Sequence, residues 1–443
     1  MLRLIRVLRN KLAPVHKIPA EILSLIPDFW IGESDPNLIA MTHVCHAWRE
    51  ILTSRSSLWT SLDCENAEKT RAYLERSKSS PIDLSLYRDE GLLPGDPLFE
   101  IDPRNVNRLK SLEFQGSPES LGDIAPQLSY PAPLLENLAI EIDCSFQPER
   151  YPTIAATLFG GDLSSLRELC LHCVRTELPW RNMVNLTSFT LAFAPPEGIS
   201  TTQLLDFFEC ASYLREVKLH SIPLARSERD QRVVSLTRLK RLAVSGRQPT
   251  SPLIGHLSIP VGATLESEIE MHPRIEDHLP KSLGNLKNLS NFTKLCLVLK
   301  ERRWEIQFIG PKGQVRVASD GPQVDMSGLV VEFLSSFDTS AVERLEVINS
   351  NPLTYDLAYR LLLPMKTLDA LAISGSETLP PIISALNPDL NPQNALICSN
   401  LEEFVLRTNG GRGLDVKSVM EMRVVRASRG AKLESVRILG GGE

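Results

Sequence analysis

A chain of 443 residues is longer than one hydrophobic core usually supports, so it divides into two or three domains or forms one elongated array. Hydrophobic residues at 42% and charged residues at 23% are ordinary for a soluble globular protein, and a net charge of -6 leaves no basic excess for general nucleic-acid binding. No apolar run approaches the roughly 20 residues of a membrane helix, which argues against a membrane protein. The eight cysteines are scattered, mostly within apolar runs, with no spacing that marks a disulfide framework. That points to a reducing compartment, cytoplasmic and/or nuclear.

Residues 1–14 form a basic segment. Arg3, Arg6, Arg9 and Lys11 alternate with Leu2, Leu4, Ile5, Val7 and Leu8, and no acid precedes Glu21. The pattern suits a targeting or membrane-surface helix, but its shortness favours a basic helix packed on the neighbouring module. Residues 15–62 form a helical block. Pro19 opens a helix with Ile18, Ile22, Leu25 and Ile26 at helical spacing and Leu23 beside them, and Pro27 is expected to end it. Asp35 is the predicted N-cap of a second helix that begins at Pro36 and presents Leu38 and Met41 on one face. Beyond Thr42, an apolar stripe of Val44, Cys45, Trp48, Ile51 and Leu52 predicts a third helix, closed by Leu58 and Trp59. A unit of this size is hard to stabilise alone and cannot hide so many large apolar side chains, so the excess predicts a partner site.

Residues 63–443 read as an array. A helix from Asn66, as N-cap, to Lys78 precedes a strand with Ile82, Leu84 and Leu86 alternating. An apolar triad at i, i+3 and i+5 then recurs, beginning with Leu109-Leu112-Phe114, Leu135-Leu138-Ile140, Leu166-Leu169-Leu171, Leu186-Phe189-Leu191, Leu214-Val217-Leu219 and Leu239-Leu242-Val244. It resumes with Phe292-Leu295-Leu297, Val342-Leu345-Val347, Leu368-Leu371-Ile373, Leu401-Phe404-Leu406 and Leu433-Val436-Ile438. The i+3 and i+5 residues point to one face of a strand, and the i residue closes the turn before it. Such units cannot bury their apolar face alone and must stack, with a period loosely that of leucine-rich repeats. Predicted return helices start at Thr201, Ser327, Thr354 and Asp415 as caps, the last closed by Gly430. Between about 300 and 320, Trp304, Ile306 and Phe308 alternate, Gly310-Pro-Lys-Gly313 turns, and Val315 and Val317 alternate back: a β-hairpin that either projects from the array or prolongs its sheet. Pro249–Pro280 is Pro-punctuated and predicts a loop with one or two short strands.

No catalytic, cofactor-binding or metal-binding set stands out. Cys170-Leu-His-Cys173 has no second pair at zinc spacing and reads as structural, and His43, Cys45 and His46 do not share one helix face. Asn409-Gly-Gly-Arg-Gly413 lacks the Lys-Ser/Thr of a phosphate loop. The triplets at Asn185, Asn288 and Asn291 match the glycosylation pattern but carry little weight without a signal peptide. An enzyme is not expected.

The opening block resembles an F-box. The resemblance rests on Ile18-Pro19-Ala20-Glu21-Ile22-Leu23, on Leu38-Ile39-Ala40, on Val44-Cys45-His46-Ala47-Trp48-Arg49 and on Leu58-Trp59, and departs at the loop from Pro27 to Asp35. The whole chain is similar to fungal F-box proteins with degenerate leucine-rich repeats. The implied fold is a small three-helix F-box, then a curved α/β solenoid with a hairpin insertion. The implied function is that of a substrate receptor in an SCF-type ubiquitin ligase, whose F-box docks on a Skp1-type adaptor and through it on a cullin and a RING protein. The adaptor-binding residues would be Ile18, Pro19, Ile22, Leu23, Ile26, Leu38, Val44, Cys45, Trp48, Arg49, Leu58 and Trp59. The protein substrate is not identifiable, and outward strand residues such as Glu168, Lys218, Arg241 and Glu346 are candidates for contacting it. The alternative is a non-catalytic interaction scaffold whose helical block caps the array.

Overall fold

The computed structural model describes residues 12–440 apart from 13, 31–35, 65, 89–101, 144–149, 196–198, 224–231, 271–274, 281, 290–291, 301, 321–325, 336, 350–352, 376 and 409–415. The basic segment at 1–11, Cys144, Asn291, the caps expected at Asp35 and Asp415, and the glycine-rich 409–413 all lie outside the described residues. The fold is α/β, with twelve α-helices and a large mixed sheet of sixteen strands among the described residues. The chain divides into two compact units, Met1–Leu186 and Thr187–Glu443.

The first unit opens with helices α1 (Ala20–Trp30), α2 (Pro36–Thr42) and α3 (His46–Ser54). Pro27 does not end α1 as expected: the helix runs through it to Trp30. Pro27 forfeits one backbone hydrogen bond, but its ring is buried, and that packing offsets part of the loss. Then come β1 (Ser61–Leu62), α4 (Ala67–Ser77), β2 (Ile82–Arg88), α5 (Pro103–Val106), β3 (Leu109–Gly116), α6 (Pro118–Ile124), β4 (Asn137–Ile142) and β5 (Glu168–His172). Asn66 caps α4 as anticipated, its side chain accepting from the amides of Glu68 and Lys69. At the other end of α4, the Arg108 guanidinium donates to the carbonyls of Leu74 and Ser80 and to Ser77 Oγ, where a cation is favoured by the helix dipole. The five strands lie side by side in chain order, all parallel.

The second unit contributes β6 (Ser188–Ala192), α7 (Thr201–Cys210), β7 (Glu216–His220), β8 (Arg241–Gly246), α8 (Ser251–Ile254), β9 (Thr264–Glu270), β10 (Lys294–Lys300), β11 (Arg303–Ile309) and β12 (Gln314–Asp320). After them come α9 (Met326–Leu334), β13 (Arg344–Asn349), α10 (Tyr355–Leu362), β14 (Ala370–Ser374), α11 (Leu379–Leu386), β15 (Glu403–Thr408), α12 (Val416–Ser428) and β16 (Ser435–Gly440). The order across the sheet is β6-β7-β8-β9-β12-β11-β10-β13-β14-β15-β16. Pairing is parallel except at β10–β11 and β11–β12. The helix starts are close to those expected. Ser200 rather than Thr201 caps α7, in a reciprocal capping box with Gln203, and Ser327 lies inside α9 rather than before it. Thr354 caps α10 as anticipated, and Gly430 follows α12 at φ +89°.

Each triad sits where its spacing put it. In the interior units the i+3 and i+5 residues, such as Leu371 and Ile373 or Phe404 and Leu406, are buried on one face of their strands. The i residue closes a turn: the amides of Leu135, Leu166, Leu186, Leu214, Leu239, Val342, Leu368 and Leu401 each donate to the carbonyl three residues back. A polar ladder links successive turns, with Asn185 Nδ2 donating to Ser164 O, Thr367 Oγ1 to Ser340 O and Asn400 Nδ2 to Lys366 O. In five units a further feature falls at i+7, at or just past the strand end. Cys173, Phe193, Ser221, Gly246 and Gly375 all occupy this position, and all have positive φ.

One region differs from expectation, and a second decides between the two alternatives left open. Within Pro249–Pro280, β9 is a full seven-residue strand rather than a short one. Its inward residues are Leu265, Ser267 and Ile269, so a hydroxyl occupies the position where the apolar pattern needs an aliphatic side chain. Ser267 Oγ is satisfied internally, 2.8 Å from Thr250 Oγ1 and 3.1 Å from His278 Nδ1, and the His278 ring packs edge-on against Trp304. The hairpin has the expected register, with Trp304 opposite Ser319, Ile306 opposite Val317 and Phe308 opposite Val315. It does not project: β11 and β12 are inserted into the sheet between β9 and β10, forming a three-stranded meander with β10. At its turn a Cβ on Gly313 would stand 2.2 Å from Val261 O, so only glycine permits this approach.

Candidate functional site

The helical block closes its own core. Leu23, Met41, Trp48 and Leu52 form a buried cluster, with Ile18, Ile26, Cys45, Ile51 and Leu58 partly buried against it. Leu38 is buried too, and Trp59 is fully enclosed. Trp59 Nε1 donates to Leu52 O at 2.9 Å; its ring meets Tyr73 edge-on at 4.9 Å and lies 4.3 Å from the Arg76 guanidinium. The helices are fastened by side chains as well: Arg49 Nε donates to Thr42 O at 3.0 Å, and Arg55 donates to Ser24 O.

This arrangement divides the twelve residues named above. Leu23, Leu38, Trp48 and Trp59 are interior and offer no surface to a partner, which corrects their assignment to adaptor contact. Their large apolar side chains are what the small unit uses for its own core. Ile18, Ile26, Cys45 and Leu58 are half-buried at its edge. Pro19, Ile22, Val44 and Arg49 face solvent. Two further residues outside the expected adaptor set, Leu25 and Ile39, join them: exposure is 52% at Ile22, 44% at Leu25, 36% at Ile39 and 58% at Val44. Ile22 and Leu25 are three apart on α1 and share a face of that helix.

The outward positions of the strands differ between the units. In the first they are Asp83, Ser85 and Tyr87 on β2, Ser111, Glu113 and Gln115 on β3, Asn137, Ala139 and Glu141 on β4, and Glu168, Cys170 and His172 on β5. Lys110, exposed on β3 at the register shift, lies near Asp83 and 3.9 Å from Glu136. The carboxylates beside Tyr87 raise its pKa, after burial as the larger cause, and burial raises that of Asp83. In the second unit the charges are paired across strands. Arg241 holds Glu266 through two hydrogen bonds of 3.1 and 3.0 Å, Glu346 is held by Lys294 and Arg407, and Arg437 pairs with Glu403. Among the described residues Glu305 is the most enclosed carboxylate, gripped by Arg316 through two hydrogen bonds of 2.9 Å. That grip holds the Glu305 carboxyl below its ordinary value against the opposing effect of burial. A carboxylate with a lowered folded pKa contributes stability above its ordinary pKa of about 4.5, and the contribution disappears as pH falls through the folded value. Glu305→Gln is therefore expected to flatten the acid-side fall in melting temperature below about pH 4.5 relative to the parent; an unchanged acid limb in thermal melts would contradict this.

Cys173 is disulfide-bonded, a bridge that cysteine spacing did not mark, and the other described cysteines are not disulfide-bonded. Cys170 lies on the outward face, its Sγ 3.9 Å from Glu141 Oε1. Asn288 is buried and donates to Ala263 O, which rules it out as a glycosylation acceptor in the fold. Among the described residues no cluster of three His, Cys, Asp or Glu could hold a metal ion, and no helix is long and apolar enough to cross a membrane. A cleft of about 80 Å³ lies between α6 and Thr153–Leu158, lined mainly by Leu121, Ala125, Leu128, Ile154 and Leu158 without convergent titratable groups. The chain matches no protein-family model and no curated protein sequence.

Proposed function

We propose that residues 15–62 are an F-box that docks on a Skp1-type adaptor. The strand-and-return units after them are then degenerate leucine-rich repeats, stacked as a solenoid, that hold a protein substrate for an SCF-type ubiquitin ligase. The observation that carries this reading is a helical block with a complete core that still exposes Ile22, Leu25, Ile39 and Val44. Apolar side chains left over after a core is closed mark a docking surface. The repeats are supported by the recurring triad, the turn closed by its first residue and the parallel pairing of successive strands. In this role the protein performs no bond-making step. It raises the effective concentration of a substrate lysine near a charged E2.

The test is co-expression with a Skp1-type adaptor. A stoichiometric complex is expected, and Ile22→Glu combined with Val44→Glu is expected to abolish it while leaving the melting temperature of the free protein unchanged. Both side chains are exposed, so loss of binding reports on the surface rather than on folding. Trp48→Ala is unsuitable, because it opens the core. A monodisperse protein that ignores the adaptor, or a double variant that binds like the parent, refutes the proposal.

One observation favours the scaffold reading as runner-up. The block continues into the sheet, β1 pairing with β2 and Trp59 lying between Leu52 and Tyr73, as an end cap would. Under that reading the Ile22/Val44 double variant retains every partner of the protein.

A further inference from the structure

The last repeat leaves an apolar stripe that the rest of the fold does not use. Helix α12 buries Val419, Met422 and Arg426 and turns a second row, Val416, Met420 and Val424, to solvent, with exposures of 37%, 43% and 68%. These residues are four apart and form one continuous ridge. The strand below is also incompletely covered: inward-pointing Ile438 is 45% exposed, whereas Leu406 and Ile373, at the same register position of the preceding strands, are 2% exposed.

We infer that the Val416–Met420–Val424 ridge pairs with the same ridge of a second copy of this chain, the two α12 helices packing antiparallel about a two-fold axis near Met420. The charges beside the ridge select this occupant. Lys417 and Glu421 lie on one flank, 3.7 Å apart within their own helix. A two-fold through Met420 sets Val416 against Val424 of the other copy and brings Lys417 of each helix alongside Glu421 of the other. The flank is thus self-complementary, as an isologous interface requires. On the opposite flank Arg423 is turned away, donating to Glu434 O at 3.2 Å. One helix pair buries less than the roughly 1,200 Å² of a standard interface, so the association is weak and concentration-dependent.

The experiment is sedimentation equilibrium of the full chain over a wide concentration series. The parent is expected to rise from monomer mass towards twice that mass, and Met420→Glu with Val424→Glu to remain monomeric. Charge exchange separates this geometry from an unspecific sticky patch. Lys417→Glu alone is expected to weaken the dimer about tenfold, as loss of a favourable pair and gain of a repulsive one would. Adding Glu421→Lys is expected to restore it. All these side chains are exposed, and an unchanged melting temperature verifies folding. A parent that is monomeric throughout, a dimer that survives the double glutamate variant, or a charge exchange that fails to restore association overturns the inference.

Discussion

Arg426→Ala is expected to be among the most damaging single substitutions in the second unit, costing about 3–5 kcal/mol. The Arg426 side chain is fully buried on α12's inner face, in the last turn of the helix. Its guanidinium donates to Leu386 O at 3.1 Å, Ile397 O at 2.9 Å and Cys398 O at 2.6 Å. Leu386 is the last residue of α11, so one of these carbonyls belongs to a helix C-terminus, where a cation is favoured. The other two belong to the segment that leads into β15. Burial lowers the Arg426 pKa and drives the neighbouring Cys398 thiol up to about 12, so the pair stays a guanidinium beside a neutral thiol. Truncation would remove this donor from the Leu386 and Ile397 carbonyls, at about 1–3 kcal/mol each, while Cys398 O keeps the Leu401 amide, and would open a cavity as well. Arg426→Met keeps much of the volume and removes a desolvated charge, so a smaller loss is expected, about half that of alanine. The measurement is amide hydrogen exchange across residues 386–402 together with the thermal transition. A loss below about 1 kcal/mol for the alanine variant would show that the carbonyls find other donors.

Sequence periodicity located most strands but not the side chains that lock them together. The triad is legible because a strand exposes alternate residues and the i residue is fixed by the turn, so three apolar side chains at fixed spacing leave few alternatives. It failed at β9 because Ser267 replaces an aliphatic residue and finds its partners in Thr250 and His278, which are remote in sequence. Arg426 was missed for a related reason. An arginine on a helix with an apolar ridge on its other side reads as solvated, and only the folded chain reveals three carbonyls converging on it. In the helical block the spacing found all three helices, yet could not orient them. Ile22 and Leu23 are adjacent and equally apolar, but one faces solvent and the other the core. Trp48, the strongest landmark of the resemblance, is interior, while Leu25 and Ile39, not among the expected adaptor contacts, are on the surface.

Gly375→Ala is expected to cost at least about 3 kcal/mol, although it adds only a methyl group. Two effects act together. Gly375 has φ +125°, a region that side-chain-bearing residues rarely enter, and a Cβ built there would lie 2.0 Å from Asn349 O in the preceding strand segment. The contact is with backbone, so no rotamer change relieves it, and β13 and β14 would have to separate just past the end of their pairing. The same i+7 position is filled by Cys173, Phe193 and Ser221 at φ 55°, 51° and 50°, within the left-handed region that ordinary residues enter at about 1–2 kcal/mol. The position takes positive φ in five units but not at Gly116, Ile142, Leu299, Asn349 or Thr408, and it demands glycine only where φ moves beyond the left-handed region. Gly246, at φ +141° with a built Cβ 2.8 Å from Ser221 Cα, should behave like Gly375. Ser221→Gly supplies the control: it relieves the left-handed strain, adds unfolded-state entropy, and is expected to stay within about 1 kcal/mol of the parent. Melting temperatures of the three variants decide the matter. If Gly375→Ala and Ser221→Gly shift the transition alike, the strand ends are pliable and the steric argument fails.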